Sequence, residues 1–249
     1  MKIHNYIIVG IVILLLAGCA SESASPMEEF KGQSAEKIFN DAESAMAKKH
    51  YEDAIKNFEA LDILYPFGKY AQQGQLDIIY AYYKNKDLDT AIAAATRYIH
   101  LYPASANVDY AYYMKGLANF DKTRSWADVI YKRDPSARDL STMREAFTDF
   151  NELIAQFPSS KYVSDAHNRM IYIRNLIAKY ELSVAEYYMR HKTYIAAANR
   201  ANYIVTHLEG APQVEGALKI MVNAYTALGA TEEASKAQKV LDMNFPKSK

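Results

Sequence analysis

Tyr51-Glu52-Asp53-Ala54-Ile55-Lys56-Asn57-Phe58-Glu59-Ala60-Leu61 follows the turn Lys48-Lys49-His50 and runs on to Tyr65-Pro66. Ala54, Phe58 and Leu61 stand at i, i+4 and i+7, so one face of a helix carries a small residue and then two large apolar ones. The frame returns at Ala91, Ala146, Ala197 and Ala234, at intervals of 37, 55, 51 and 37 residues. Twelve positions after four of these five alanines stands a proline: Pro66, Pro103, Pro158 and Pro246. An aromatic residue precedes each one, as Tyr65, Tyr102, Phe157 and Phe245. After Ala197 the twelfth residue is Glu209, and Pro212 comes three later.

A helix with alanine at this position lets its neighbour approach closely, and proline cannot continue a helix, so each segment turns into the next. Nine residues before four of the alanines, Ala45, Tyr82, Tyr188 and Tyr225 mark the first helix of each pair. The arrangement resembles the tetratricopeptide repeat. It predicts an all-α, tetratricopeptide-like superhelix of about five helix pairs over residues 34–249. The two long intervals exceed the clean period of 37 by 18 and 14 residues. The first surplus fits a loop insertion at Asp121–Asp139, around the single tryptophan Trp126, either a solvated loop or a partner-binding insert. The second fits an additional helix near Tyr162–Ile177.

In such an array the first helices line a concave surface. The frame puts Glu36, Phe39, Glu43 and Met46 on it in the first unit. Gln73, Leu76, Tyr80 and Tyr83 follow in the second, and Tyr110, Tyr113, Leu117 and Phe120 in the third. The fifth unit is polar there. Tyrosine is abundant, with 21 residues against nine phenylalanines, which suits surfaces that are partly buried and partly wet. Stripes of tyrosine also serve plain core packing. Partial exposure of Tyr80, Tyr83, Tyr110, Tyr113 and Phe120 would make a groove for an extended or turn-like peptide with aromatic side chains.

Upstream of the repeats, Leu16-Ala17-Gly18-Cys19 ends the apolar run Ile7–Leu16, with Lys2 as the positive flank. This matches the lipobox of bacterial lipoproteins: residues 1–18 are read as a signal peptide and Cys19 as the lipid attachment site. The run is half the length of a membrane span, and Cys19, the only cysteine, has no disulfide partner in the chain. Several acyl chains on one residue anchor a protein firmly. Ala20 after the cysteine suggests, by resemblance to sorted lipoproteins, the outer membrane. Residues 19–33 are read as anchor and flexible tether, a coil of roughly 20 Å root-mean-square span.

Lys plus Arg and Asp plus Glu both total 29, so no global field points to nucleic acid. The six histidines, His4, His50, His100, His167, His191 and His207, show no metal-ligand pairing. There is no nucleophile elbow and no phosphate-cradling glycine loop. The expectation is therefore no catalytic residue, no metal and no cofactor.

Several stretches together resemble the BamD family, the lipoprotein of the β-barrel assembly machinery: Tyr65–Gln73 (Tyr-Pro-Phe-Gly-Lys-Tyr-Ala-Gln-Gln), Gln75–Asn85, Arg133-Asp134-Pro135, Ala146–Phe150 and Leu176–Tyr188. The resemblance covers nearly the whole mature chain. It implies a scaffold on the periplasmic face of the outer membrane that binds the barrel subunit BamA through its last POTRA domain. It also implies contacts with accessory assembly lipoproteins and with unfolded outer-membrane β-barrel proteins. Tyr65 and Phe67 match its Tyr-Pro-Phe-Gly motif, implicated in substrate contact, although every repeat proline here follows an aromatic. Arg200 matches an arginine implicated in binding the POTRA domain, and its equivalents Asn57, Ala94, Asp149 and Ala237 show that the repeat does not require a cation there. The alternative reading is a repeat lipoprotein serving peptidoglycan-associated or secretin assembly.

Overall fold

The computed structural model describes residues 27–122, 136 and 139–246. Cys19, the signal peptide, most of the tether and Trp126 lie outside the described residues. Ten α-helices are present among those described: α1 (Ala35–Ala47), α2 (Tyr51–Leu64), α3 (Ala71–Lys84), α4 (Leu88–Leu101), α5 (Val108–Lys122), α6 (Ser141–Gln156), α7 (Val163–Arg190), α8 (Tyr194–His207), α9 (Val214–Ala227) and α10 (Thr231–Asn244). They form five consecutive pairs, each helix packed on its neighbours in sequence. First helices also touch across pairs, α3 on α5 and α7 on α9.

The sequence frame sets both turns of each unit. Tyr65, Tyr102, Phe157 and Phe245 close the second helices with φ between −136° and −129° and ψ between 53° and 64°. The proline that follows each one disfavours the helical region for the residue before it. Within four pairs, the first helix ends in a Schellman motif. Ala45, Tyr82, Tyr188 and Tyr225 accept from the backbone N–H of His50, Asp87, Thr193 and Ala230, five residues on. The left-handed position is filled by Lys49, Lys86, Lys192 and Gly229, with φ of 63°, 69°, 57° and 73°. A lysine there gives up about 1–2 kcal/mol of backbone comfort while placing a cation beside the helix carbonyl end.

Ala54, Ala91, Ala146 and Ala197 are all buried, whereas Ala234, in the last of the described helices, is half-buried. Close approach also needs glycine on the first helices. A Cβ at Gly74 would stand 2.8 Å from Leu61 Cδ2, and one at Gly116 would stand 2.7 Å from Phe150 Cε1. The core is accordingly a strip running along the stack, with one cluster around Phe58 and Tyr82, another around Tyr98 and Met114, and the largest around Phe150 and Ile173.

Two boundaries differ from expectation. The surplus before Ala197 is no separate helix: it lengthens α7 to 28 residues, because Tyr162–Arg190 contains no breaker. The folded body also begins before Ser34. Glu28–Phe30 form a 3-10 turn, and Phe30 is buried in the first cluster, so residues 27–33 are no part of a free tether.

Candidate functional site

The first-helix side of the second and third pairs holds an open cavity of about 400 Å³. One turn of α3 after another contributes Gln73, Leu76, Asp77 and Tyr80. Met46 comes from the end of α1, Asn107 from the residue before α5, Tyr110 from the first turn of α5, and Tyr162 from the residue before α7. A cavity of about 500 Å³ lies on the other side, between α2 and α4. There Tyr82 donates to Glu59 at 2.6 Å and Arg97 to Asp62 at 2.8 Å, so its polar side chains already answer one another.

The predicted aromatic residues divide into three groups. Tyr80 and Tyr110 line the cavity and are half-buried, as expected. Tyr83 and Tyr113 are also half-buried, but their hydroxyls are engaged within the chain. Tyr83 donates to Asp121 at 2.5 Å and Tyr113 to Asp165 at 2.8 Å. The Tyr113 ring stacks on Tyr162 at 4.6 Å, and burial pushes its phenol up to about 12, with the Asp165 hydrogen bond adding to the shift. Phe120 departs from expectation: it is buried at 5% exposure, under Tyr172 at 5.7 Å and the Arg169 guanidinium at 4.9 Å. Both covering residues belong to α7, whose added turns close over a position that a shorter first helix would leave open.

Tyr65 and Phe67 lie elsewhere. Tyr65 closes the first pair, packed against the cluster of Phe30 and Phe58, and its hydroxyl donates to the Gln33 carbonyl at 2.6 Å, clasping the N-terminal segment. Phe67, in the loop between α2 and α3, is 99% exposed and lines no part of the cavity.

Sequence reasoning passed over Asp77 and Tyr162. The available signal for Asp77 was a carboxylate set between Leu76 and Tyr80 in an otherwise apolar stripe. Both Asp77 oxygens accept from the Gln73 amide at 2.9 Å, and among the described residues no lysine or arginine pairs with it. Burial lifts its carboxyl to about 6, the Gln73 hydrogen bonds opposing and Glu43 of α1 adding to the rise. Burial also raises Glu43. The folded chain therefore binds the Asp77 proton more tightly than the unfolded chain, and stability falls as pH rises from about 4 to about 6. Asp77→Asn is expected to remove that slope and to stabilise the protein above pH 6 by on the order of 2 kcal/mol. Urea melts at pH 4.5 and pH 8 check it; equal wild-type slopes in the variant would contradict the burial of an unpaired carboxylate.

Arg200 sits on α8 and donates from Nη1 to Glu181 Oε2 at 2.9 Å. Glu181, on α7, is only 3% exposed, and its other oxygen accepts from Arg144 of α6 at 3.0 Å. Arg144 donates its second Nη to the Tyr203 hydroxyl at 3.1 Å. Two guanidiniums on one buried carboxylate leave a net positive charge, and both arginines are nearly half exposed. The fork of Arg200 is thus partly occupied inside the chain, and its Nε and Nη2 have no partner among the described residues. The equivalent position in the third pair, Asp149, is likewise ion-paired to the first helix of its own pair, through Lys115 at 2.8 Å. In the third and fourth pairs this position joins the two helices, whereas Asn57 bonds back to Asp53 of its own helix. The clue to Glu181 in the sequence is its register: Ala178, Glu181 and Ala185 share one helix face, and the two alanines are fully buried.

Among the described residues no group of His, Cys, Asp or Glu could hold a metal ion, and no helix is long and apolar enough to cross a membrane. Stacked helix pairs with an aromatic cavity on one side and a cationic cluster further along define a helical-repeat scaffold, a protein built to present surfaces to other chains. The chain belongs to the YfiO family, described as outer membrane lipoprotein, whose model matches residues 31–241. It is 39% identical to the outer membrane protein assembly factor BamD of Neisseria meningitidis serogroup A, over 94% of this chain and 89% of that one. It is 33% identical to the protein of the same name from Vibrio cholerae, over 94% and 95%. Among solved structures, the crystal structure of MamA protein aligns with 88% of this chain and 98% of that one, at 15% identity and a TM-score of 0.42.

Proposed function

We propose that this chain is an outer membrane protein assembly factor. It is held by lipid on Cys19 to the periplasmic face of the outer membrane, after removal of residues 1–18. As a scaffold it joins the β-barrel assembly machinery, binding the barrel subunit BamA through a POTRA domain and contacting accessory assembly lipoproteins. Unfolded outer-membrane β-barrel proteins are its substrates, received in the cavity of Tyr80 and Tyr110, with Tyr83 and Tyr113 framing it. Phe67 is an exposed aromatic beside the first pair, free to meet a partner.

The observation that carries this reading is the similarity over nearly the full chain to proteins named outer membrane protein assembly factor. The net charge of the Arg144–Glu181–Arg200 cluster adds a surface suited to a carboxylate on a partner. The test is depletion of the chain in its own cell. Barrel proteins are expected to disappear from the outer membrane and to accumulate unfolded in the periplasm, and to return when the wild-type chain is restored. Unchanged barrel levels after depletion would contradict the proposal.

A further inference from the structure

We propose that the cavity between α1, α3 and α5 takes the positively charged side chain of an arginine or lysine in an extended peptide, with Asp77 as its counter-charge and the rings of Tyr80, Tyr110 and Tyr162 as its walls. The inference rests on the reading of this groove as a peptide site and names the chemistry that the site selects.

Asp77 is half withdrawn from water, and a carboxylate so placed is ordinarily paired, because uncompensated charge away from water is expensive. Asp77 has only an amide for company, Gln73 at 2.9 Å from each oxygen. Glu43 of α1, near enough to raise the Asp77 carboxyl, deepens the negative potential. A ligand cation would supply what the chain withholds. The walls suit the same ligand, since cations bind to the faces of electron-rich rings. The rings in this region already do so: Lys84 lies 5.7 Å from the Tyr80 centroid and Lys161 lies 5.1 Å from that of Tyr162. Tyr110 carries no such cation among the described residues. A volume of about 400 Å³ falls at the lower end of the range of ligand pockets and accommodates one long side chain with its adjoining backbone.

The same charge excludes other occupants. A peptide's terminal carboxylate brought beside Asp77 and Glu43 would meet two like charges, so a free C-terminus must lie outside this cavity. Aromatic side chains of the ligand flank the cation instead of filling the hole.

The experiment uses the purified full-length mature chain and three fluorescent nonapeptides, N-acetylated and C-amidated, of alternating aromatic and polar residues. They differ only in a central Arg, Gln or Glu. Anisotropy titrations at pH 7.5 and moderate salt are expected to give the Arg peptide at least tenfold tighter binding than the Gln peptide, with the Glu peptide weakest. Asp77→Asn is expected to bring the Arg and Gln peptides within twofold of each other, chiefly by weakening the Arg peptide. Glu43→Gln, on an exposed helix face, should reduce the preference by a smaller factor and guards against a folding artefact. Equal affinity of the Arg and Gln peptides for the wild type, a preference that survives Asp77→Asn, or no binding of any of the three would overturn the inference. Each of those results leaves the depletion experiment free to stand, so loss of the cationic site and loss of the assembly role are separable.

Discussion

Phe150→Ala is expected to lower the unfolding free energy by about 3–5 kcal/mol, the range for truncating a large aromatic side chain in a closed core. Phe150 is fully buried and fills the place in the third pair that Phe58 fills in the first. Its ring occupies the space that Gly116 leaves open, where a Cβ would stand 2.7 Å from Cε1. Helix α5 is held on one side by this contact and on the other by α3, so loosening it disturbs the wall that carries Tyr110 and Tyr113. Gly116→Ala alone is expected to destabilise by about 1–3 kcal/mol through overpacking. Combined with Phe150→Ala, the added methyl enters the vacated volume, and the double variant should be less destabilised than the sum of the two. Urea unfolding of the four proteins reads this directly. A simple sum would mean that the ring and the glycine are not the complementary pair the fold requires.

Arg200→Gln and Arg200→Glu are expected to part company, and their difference separates the internal ion pair of this side chain from its proposed contact with the barrel subunit. Arg200→Gln can keep a hydrogen bond to Glu181 while discarding the charge, and Arg144 still neutralises that carboxylate, so the melting temperature should hold. Association with the barrel subunit should nevertheless weaken by at least about 30-fold, the low end for removing one partner of a desolvated charge pair. Arg200→Glu sets a second carboxylate against Glu181, which is 3% exposed, and is expected to lose both association and stability. A pull-down with the reverse-charge variant alone would confuse these effects. Full association of Arg200→Gln with the barrel subunit would make the residue a purely internal strut between α7 and α8.

The repeat was legible in the sequence because its physics is local. A proline silences helical geometry at the residue before it, and the Tyr-Pro and Phe-Pro pairs appear as four nearly identical helix ends. The residue nine before four of the five alanines carries the carbonyl that closes a Schellman motif, so a spacing in the sequence became a hydrogen bond in space. What could not be read was set by neighbours distant in sequence. Phe120 follows the frame of an exposed position, yet residues 49 and 52 places later, Arg169 and Tyr172, cover it. Tyr65 looked like a substrate contact or a repeat closure, and the Gln33 carbonyl supports the second role. Tyr162 caps the helix that follows Phe157-Pro158 just as Tyr70 caps the one that follows Tyr65-Pro66, but the frame runs along the helices and passes over the residue before each. Asp77 and Glu181 are single carboxylates in apolar stripes, a pattern that reveals burial but not which residue, amide or guanidinium, will meet them.

In the function proposed above, this chain holds other envelope proteins in place through a stack of helix pairs tied to the outer membrane. The most direct test is affinity purification of the full-length, C-terminally tagged chain from detergent-solubilised envelopes, followed by identification of what travels with it in stoichiometric amount. A large outer-membrane barrel protein bearing soluble periplasmic domains is expected, retained with the wild-type chain and diminished with Arg200→Gln. A secretin or a cell-wall hydrolase in that place, with no such barrel protein, would contradict it.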